Sequence, residues 1–151
     1  MALRVGIQGE AKGGAIQVRT EVFGLPELER ALRRYGEKAE KALAGALYRE
    51  GEAIMYDAKQ LCPVNKDPKA GSAGTLRASG FVKRPEIAAN GEIFVEEGFG
   101  GPSAPYALRQ HEDLTYRHNP GMTAKFLEFP YRLAVRDMDK RLAAEITERV
   151  R

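Results

Sequence analysis

Residues 26–61, PELERALRRYGEKAEKALAGALYREGEAIMYDAKQL, are the stretch that decides how we expect this chain to fold. Apolar side chains recur there at steps of three, four and seven, the spacing of one face of an α-helix. Pro26 suits a first helical turn, where its missing N–H has no partner, and Cys62 precedes Pro63, which ends the helix. Such a helix would span roughly 54 Å, so we expect part of it to serve a partner or a second copy. Three glycines within it are expected to mark bends or close contacts: Gly36, Gly45 and Gly51.

The N-terminal residues favour β-structure. Residues 15–23 alternate apolar and polar side chains, and Leu3, Val5 and Ile7 alternate in the same way. Gly13-Gly14 offers a turn between the two runs. We therefore predict a β-hairpin or arm over residues 1–24.

The second half of the chain predicts a meander followed by a helix. Residues 63–75 have the composition of a flexible loop, order resumes over Thr75–Val82, and residues 92–97 form a strand after an Asn90-Gly91 turn signal. Pro105–Glu112 is predicted as a third strand or a short helix. A final helix runs from Phe126 to the end, supported by three i,i+4 ion pairs: Glu128–Arg132, Asp137–Arg141 and Glu145–Arg149. The prediction is one α+β domain over residues 1–151, a small antiparallel β-sheet packed against a long N-terminal-half helix and a C-terminal helix.

Composition limits the function classes. The 151 residues are 43% hydrophobic and 30% charged, which is ordinary for a globular domain. No apolar run approaches the roughly 18 residues of a membrane span, so we expect no membrane partner and no signal peptide. The single Cys62 excludes an internal disulfide. The net charge of +3 is spread along the chain, which gives no obvious phosphate-binding stripe.

One local charge asymmetry stands out between residues 62 and 99. Basic residues dominate as far as Arg84, and only acidic ones follow up to Phe99. This arrangement suits either self-complementary packing between copies or two solvated surface segments. The basic residues are Lys66, Lys69, Arg77, Lys83 and Arg84, and the acidic ones are Glu86, Glu92, Glu96 and Glu97.

No motif in the sequence predicts catalysis or a cofactor. The glycine-rich residues 98–101 are not followed by the Lys-Ser/Thr of a phosphate loop, so we predict a turn there. His111-Glu112 with His118 does not match a zinc motif, so we expect a structural, hydrogen-bonded His111. Cys62 lies at a helix C-terminus, where the dipole disfavours a thiolate, so we expect a buried, inert thiol. We predict no enzyme, no cofactor and no metal.

Four motifs in order carry a family resemblance. A helix ending at Pro63 is followed by Gly74-Thr75-Leu76-Arg77-Ala78-Ser79, then by Pro105–Glu112, then by Ala124-Lys125-Phe126-Leu127-Glu128 before the last helix. This order resembles the tail-completion (neck) proteins and related minor capsid proteins of long-tailed bacteriophages, over roughly Leu28 to Arg151. The family often has Glu-x-Gly-Thr after the third motif, whereas this chain has Gln110-His111-Glu112-Asp113, which is closer to the minor capsid branch.

The resemblance implies a structural ring subunit, often sixfold, that joins the capsid portal and connector to the tail. It implies a virion location after assembly in the host cytoplasm, contacts with other connector and tail proteins, and non-specific contact with DNA in the ring lumen. Head-to-tail contacts between copies would close such a ring.

The resemblance also assigns roles to single residues. Gly74 would allow tight entry into a strand, and Leu76 and Phe81 would face the core from the sheet. Arg77 would bridge to a carboxylate, with Glu112 as a candidate. Four residues would pack the last helix onto the sheet: Tyr106, Leu108, Phe126 and Leu127. The remaining interface or fold-motif residues are Ser79, His111 and Glu128, and Lys66 and Lys69 would lie on a basic loop that meets a neighbouring subunit or DNA.

Two other function classes stay open. A nucleic-acid-binding module would need the five basic residues of 62–84 to face one groove. A small enzyme, such as a nuclease or toxin, would need a metal-dependent activity that His111 and Glu112 support. Within the phage class, a minor capsid protein and a tail terminator are alternatives to a neck subunit.

Overall fold

The computed structural model describes residues 2–8, 15–23, 34–65, 67, 73–89 and 92–150. The strands are β1 (Ala2–Gln8), β2 (Ile16–Phe23), β3 (Phe81–Val82), β4 (Glu86–Ile87) and β5 (Ile93–Phe99). The helices are α1 (Glu37–Leu61), α2 (Thr75–Ala78), α3 (Ala107–Glu112) and α4 (Glu128–Val150). No helix in these ranges is long and apolar enough to span a bilayer.

All strand pairs of the sheet are antiparallel, in the order β1-β2-β5. The two-residue strands β3 and β4 share the outer edge of β5, so five strands occupy four positions. The register sets Ile16 opposite Phe99 and Val18 opposite Glu97. Since α1 and α4 pack against each other and the core joins them to the sheet, the predicted α+β class is confirmed.

The long helix begins later than predicted. Gly36 adopts a φ of 51°, a left-handed conformation that favours glycine, and α1 starts at Glu37. Arg34 and Tyr35 are helical before this break, and residues 24–33 lie outside the described residues. The continuous helix from Pro26 is therefore wrong at Gly36. With 25 residues α1 spans about 38 Å, so its length no longer implies a partner.

The last helix starts near the predicted place and is tied to α1 by ion pairs. Glu128–Arg132 and Glu145–Arg149 form as i,i+4 pairs at 2.5 and 3.1 Å. Arg141 does not pair with Asp137; it donates to both carboxylate oxygens of Glu50 on α1, at 2.7 and 2.6 Å. Arg141, which was predicted to pair within the last helix, therefore links α4 to α1 instead.

The segment around Thr75 differs from the strand predicted there. Thr75–Ala78 form one helical turn, and the strand starts only at Phe81. Gly74 caps that turn with a φ of 76°, so its predicted role at a strand entry is wrong. Leu76 is buried, but on α2 rather than on the sheet, and Phe81 is half-buried on β3.

The remaining predictions concern the segments at Gly98, Pro105–Glu112 and Asn90-Gly91. The break predicted from Gly98 starts two residues later, because β5 continues through Phe99. Of the two alternatives for Pro105–Glu112, the structure has the short helix. The Asn90-Gly91 turn lies outside the described residues, although the strands on either side pair Ile87 with Ile93.

Two glycine substitutions test the packing in opposite directions. A Cβ on Gly98 would overlap the backbone carbonyl of Ile16 on β2, so we expect Gly98→Ala to lower the free energy of unfolding by roughly 1–3 kcal/mol. A Cβ on Gly45 of α1 would meet only the end of the Arg49 side chain, so Gly45→Ala should raise it by about 0.5–1 kcal/mol. Urea denaturation of both variants measures the two effects. A tolerated Gly98→Ala would contradict the β2–β5 register.

Candidate functional site

The second and third motifs meet at the end of α1. The Arg77 guanidinium donates to the Cys62 carbonyl at 3.0 Å, where α1 has ended. The Ser79 hydroxyl donates to the Leu76 carbonyl at 2.6 Å and accepts from the Gly100 amide at 3.0 Å. These bonds tie α2 to both α1 and the chain after β5. The proposed Arg77–Glu112 bridge is wrong, because Arg77 caps a carbonyl and Glu112 pairs with Lys125.

His111 links the third motif to the fourth. Its ring is 1% exposed, and Nε2 accepts a hydrogen bond from the Glu128 amide at 3.3 Å. The ring proton therefore belongs on Nδ1, which donates to Glu112 at 2.8 Å. Burial lowers the pKa of His111, so the neutral ring is the stable form. The His111 carbonyl also accepts from the Lys125 amide at 2.8 Å.

Phe126 fills the centre of the same region. Its ring packs edge-on against Phe99 and against His111, with centroid distances of 5.0 Å in both cases. Leu127 beside it is fully buried, while the Glu128 carboxylate pairs with Lys125 at 3.1 Å and also with Arg132. Six residues from these contacts form what we call the motif junction: Arg77, Ser79, His111, Phe126, Leu127 and Glu128.

The remaining proposed residues stand apart from this cluster. Tyr106 is 37% exposed, and its predicted packing of the last helix onto the sheet stays a prediction. Leu108 is half-buried against the core. Lys66 and Lys69 lie outside the described residues.

Part of the charge asymmetry is satisfied within the chain. Lys83 pairs with Glu96 at 2.6 Å, and Arg77 caps α1. Glu97 is buried, with 1% of its surface exposed. The basic and acidic stretches therefore satisfy parts of each other and offer less charge to a partner than the sequence suggests.

Glu97 was missed by the sequence reasoning. Neither of its carboxylate oxygens has a hydrogen-bond partner in the described part of the chain. It faces Gly51 of α1, where an added Cβ would lie 3.4 Å from Oε2. Burial raises the pKa of Glu97 to about 8, and the Glu52 carboxylate adds to the shift. The alternation Ile93, Val95, Glu97, Phe99 places it on the buried face of β5, and that pattern could have revealed it.

An apolar groove runs between α1 and α4, with a volume of about 700 Å³. Phe129 and Leu133 line it from α4 although they are 55% and 47% exposed. Ile54 and Leu61 line it from α1, and its charged side chains are Asp57 and the Glu50–Arg141 pair. Large apolar side chains exposed together in this way mark an interaction surface. We name this surface the α1–α4 groove, and it is a candidate interaction surface.

In the part of the chain that the structure describes, no three His, Cys, Asp or Glu side chains are placed to hold a metal ion. Comparison of the chain with protein-family models, with curated proteins and with solved structures finds no match. The residues themselves must therefore carry the argument for function.

Cys62 should be unreactive in the folded protein. The thiol is fully buried, and burial raises its pKa to about 12. We expect an aromatic disulfide reagent at pH 8 to modify it at the rate of global unfolding, and instantly in denaturant. Fast labelling of native protein would contradict this burial.

Glu97 predicts a pH dependence of stability. Its pKa in the folded protein lies above the ordinary value of 4.5, so between these values the folded state holds a proton that the unfolded state has released. This group therefore lowers stability as pH rises from about 4.5 to about 8, by up to roughly 1.4 kcal/mol per pH unit.

Glu97→Gln tests this assignment, because glutamine keeps the shape and cannot ionise. We expect the variant to match the parent protein near pH 5 and to be more stable at pH 8, measured by urea denaturation at both values. Glu86→Gln, which changes an exposed carboxylate on β4, is the control. Equal pH profiles for Glu97→Gln and the parent would contradict the buried carboxyl.

Proposed function

We propose that this protein is a structural subunit of the head–tail connector of a long-tailed bacteriophage, and that copies of it form a ring between the capsid portal and the tail. The family resemblance of the four ordered motifs supplies the class. The α1–α4 groove is the observation that carries the proposal, since a ring subunit needs an apolar surface for its neighbour. The proposal takes a second copy of this chain as the occupant of the groove.

The placement of the motifs agrees with this role. In the motif junction, Arg77 and Ser79 bond to backbone, and His111, Phe126 and Leu127 are buried, as expected for residues that hold a fold. The solvent-facing Phe129 and Leu133 follow the fourth motif directly, so the junction sets the position of the groove. Such a junction holds the groove in place without itself contacting the neighbour.

The alternatives receive less support from these contacts. A nucleic-acid-binding module would use the basic residues of 62–84, and two of those described, Arg77 and Lys83, already have partners within the chain. For an enzyme that uses His111, the ring offers no free nitrogen, because Nδ1 bonds Glu112 and Nε2 bonds the Glu128 amide. A minor capsid protein or a tail terminator would use the same groove and differs in copy number and neighbours.

Copy number in purified particles tests the proposal directly. Quantitative mass spectrometry should find a small integer of about six or twelve copies per particle, because closed cyclic symmetry fixes it. Hundreds of copies would assign the chain to the tail tube or capsid shell. Absence from particles would contradict a structural role altogether.

A second test addresses the groove. Phe129→Asp with Leu133→Asp places two charges in the apolar surface, so we expect at least a tenfold loss of incorporation into particles. Leu114→Asp is the matched control, since Leu114 is 74% exposed and does not line the groove. Thermal denaturation should show that all variants fold. Normal incorporation of the double variant would remove the groove from the interface.

A further inference from the structure

Glu97 lies in a box of apolar residues between the sheet and α1. Its neighbours in the sheet register are Val18 on β2 and Val82 on β3, and Val95 stands two positions before it on the same face of β5. Gly51 of α1 closes the box. A Cβ added to this glycine would lie 3.2 Å from Val82, 3.3 Å from Val95 and 3.4 Å from the Glu97 carboxylate. None of the four surrounding side chains can donate a hydrogen bond.

The box suits the neutral carboxyl group and not the carboxylate, which needs hydrogen bonds or a cation when it leaves water. Neither Glu97 oxygen has a hydrogen-bond partner among the described residues. The charge that faces it from α1 is the Glu52 carboxylate, which is hydrogen-bonded to the Tyr48 hydroxyl. From the β3 side, the charge of Arg84 acts on Tyr48, and β2 contributes only the apolar Val18. The nearest charge to Glu97 therefore has the same sign as an ionised Glu97.

The weakest wall of the box is β3. This strand has two residues, and Lys83 directly after it bonds Glu96 through its amide at 2.7 Å and through its ammonium group at 2.6 Å. By contrast, β2 pairs with β5 over six residue pairs, and α1 packs along α4. Val82 is half-buried, whereas Val18 and Val95 are 1% and 2% exposed. Solvent therefore lies closest to the carboxyl group on the far side of Val82.

We propose that Glu97 is a proton-controlled switch that sets whether β3 stays attached to the sheet. While the carboxyl group holds its proton, Val82 closes the box against Gly51. When the proton leaves for solvent, β3 separates from β5 and α1, and the carboxylate reaches water where Val82 stood. Detaching a two-residue strand costs less than burying an unpaired charge, so α1, β2 and β5 stay together. The inference does not depend on the proposed connector role.

The pH range of the switch follows from the two states of the carboxyl group. Burial raises the pKa of Glu97 to about 8 in the closed form, and in the open form, where the group is in water, the pKa returns to the ordinary 4.5. Opening therefore releases a proton between these values. The opening equilibrium constant should rise about tenfold per pH unit from pH 4.5 to pH 8 and level off above it. Below pH 4.5 both forms hold the proton and β3 stays closed.

Amide hydrogen exchange of the full chain, followed by NMR, tests the opening at single residues. The Lys83 amide reports on β3, and the Ala88 amide, which donates to the Glu92 carbonyl at 2.8 Å, reports on β4. After division by the intrinsic exchange rate, we expect the opening constant at Lys83 to rise about tenfold per pH unit from about pH 5 to 8. The constant at Ala88 should stay level, because β4 makes its own bonds to β5.

Low concentrations of urea distinguish this local opening from global unfolding. The opening constant at Lys83 should be insensitive to urea, because the separation of β3 exposes little surface. A constant at Lys83 that does not change with pH would overturn the proposal. So would one that rises with urea as steeply as those of the β2–β5 ladder, or an equal rise with pH at Ala88.

Two substitutions assign the effect to the carboxyl group. Glu97→Gln keeps its shape and cannot ionise, so the opening constant at Lys83 should not change with pH. Glu97→Leu, which removes the polar atoms at similar volume, should give the same level profile with a lower opening constant. Glu148→Gln, which changes an exposed carboxylate on α4, is the control and should keep the profile of the parent protein. A rise with pH that persists in Glu97→Gln, or one that disappears in Glu148→Gln, would remove Glu97 as the switch.

Discussion

The edge-on packing of Phe126 between Phe99 and His111 is the contact on which the rest of the fold depends. It joins the end of the sheet, the short helix α3 and the start of α4. Each such aromatic pair contributes about 0.5–1.5 kcal/mol beyond the burial of the ring. Its larger effect is on geometry. Because Phe126 is held in place directly before α4, the rotation of α4 about its own axis is fixed. With Phe126 and Leu127 inward, Pro130 and Tyr131 also face inward, and Phe129 and Leu133 face solvent.

The sequence predicted most of what depends on a regular period. The alternation of apolar and polar side chains predicted β2 and β5, and the helical spacing of apolar side chains predicted α1 and α4. The sequence prediction failed where one residue changes the backbone. The helical spacing of apolar residues continues through Gly36, but the φ of 51° at that glycine interrupts the helix. The prediction also failed for α2, because a four-residue turn is too short to show a period. Each ion pair predicted from the sequence joins two residues of the same helix. The pair between Arg141 and Glu50 requires two helices to pack together, which no local pattern contains.

The candidate site was predictable in part. The motifs identified the residues of the junction, and a bonded, structural His111 was expected from the lack of metal ligands around it. The partners of Arg77 and Glu112 were not predictable, because the three-dimensional meeting of α1, α2 and α3 decides them. Glu97 is different, since its position on the apolar face of β5 is visible in the sequence, and only the chemistry of its side chain argues against burial. Gly51 opposite it leaves the space that a carboxyl group requires.

The α1–α4 groove depends on where α1 ends and where α4 begins. Leu61, the last residue of α1, lines the groove, and its carbonyl accepts from the Thr123 amide at 3.0 Å. The next carbonyl, that of Cys62, accepts from the Arg77 guanidinium at 3.0 Å. At the other end, Phe126 and Leu127 are buried directly before α4, and Phe129 and Leu133 line the groove from that helix. The motif residues therefore act mainly as positioning residues: they set the end of α1 and the start of α4, and these two points place the groove.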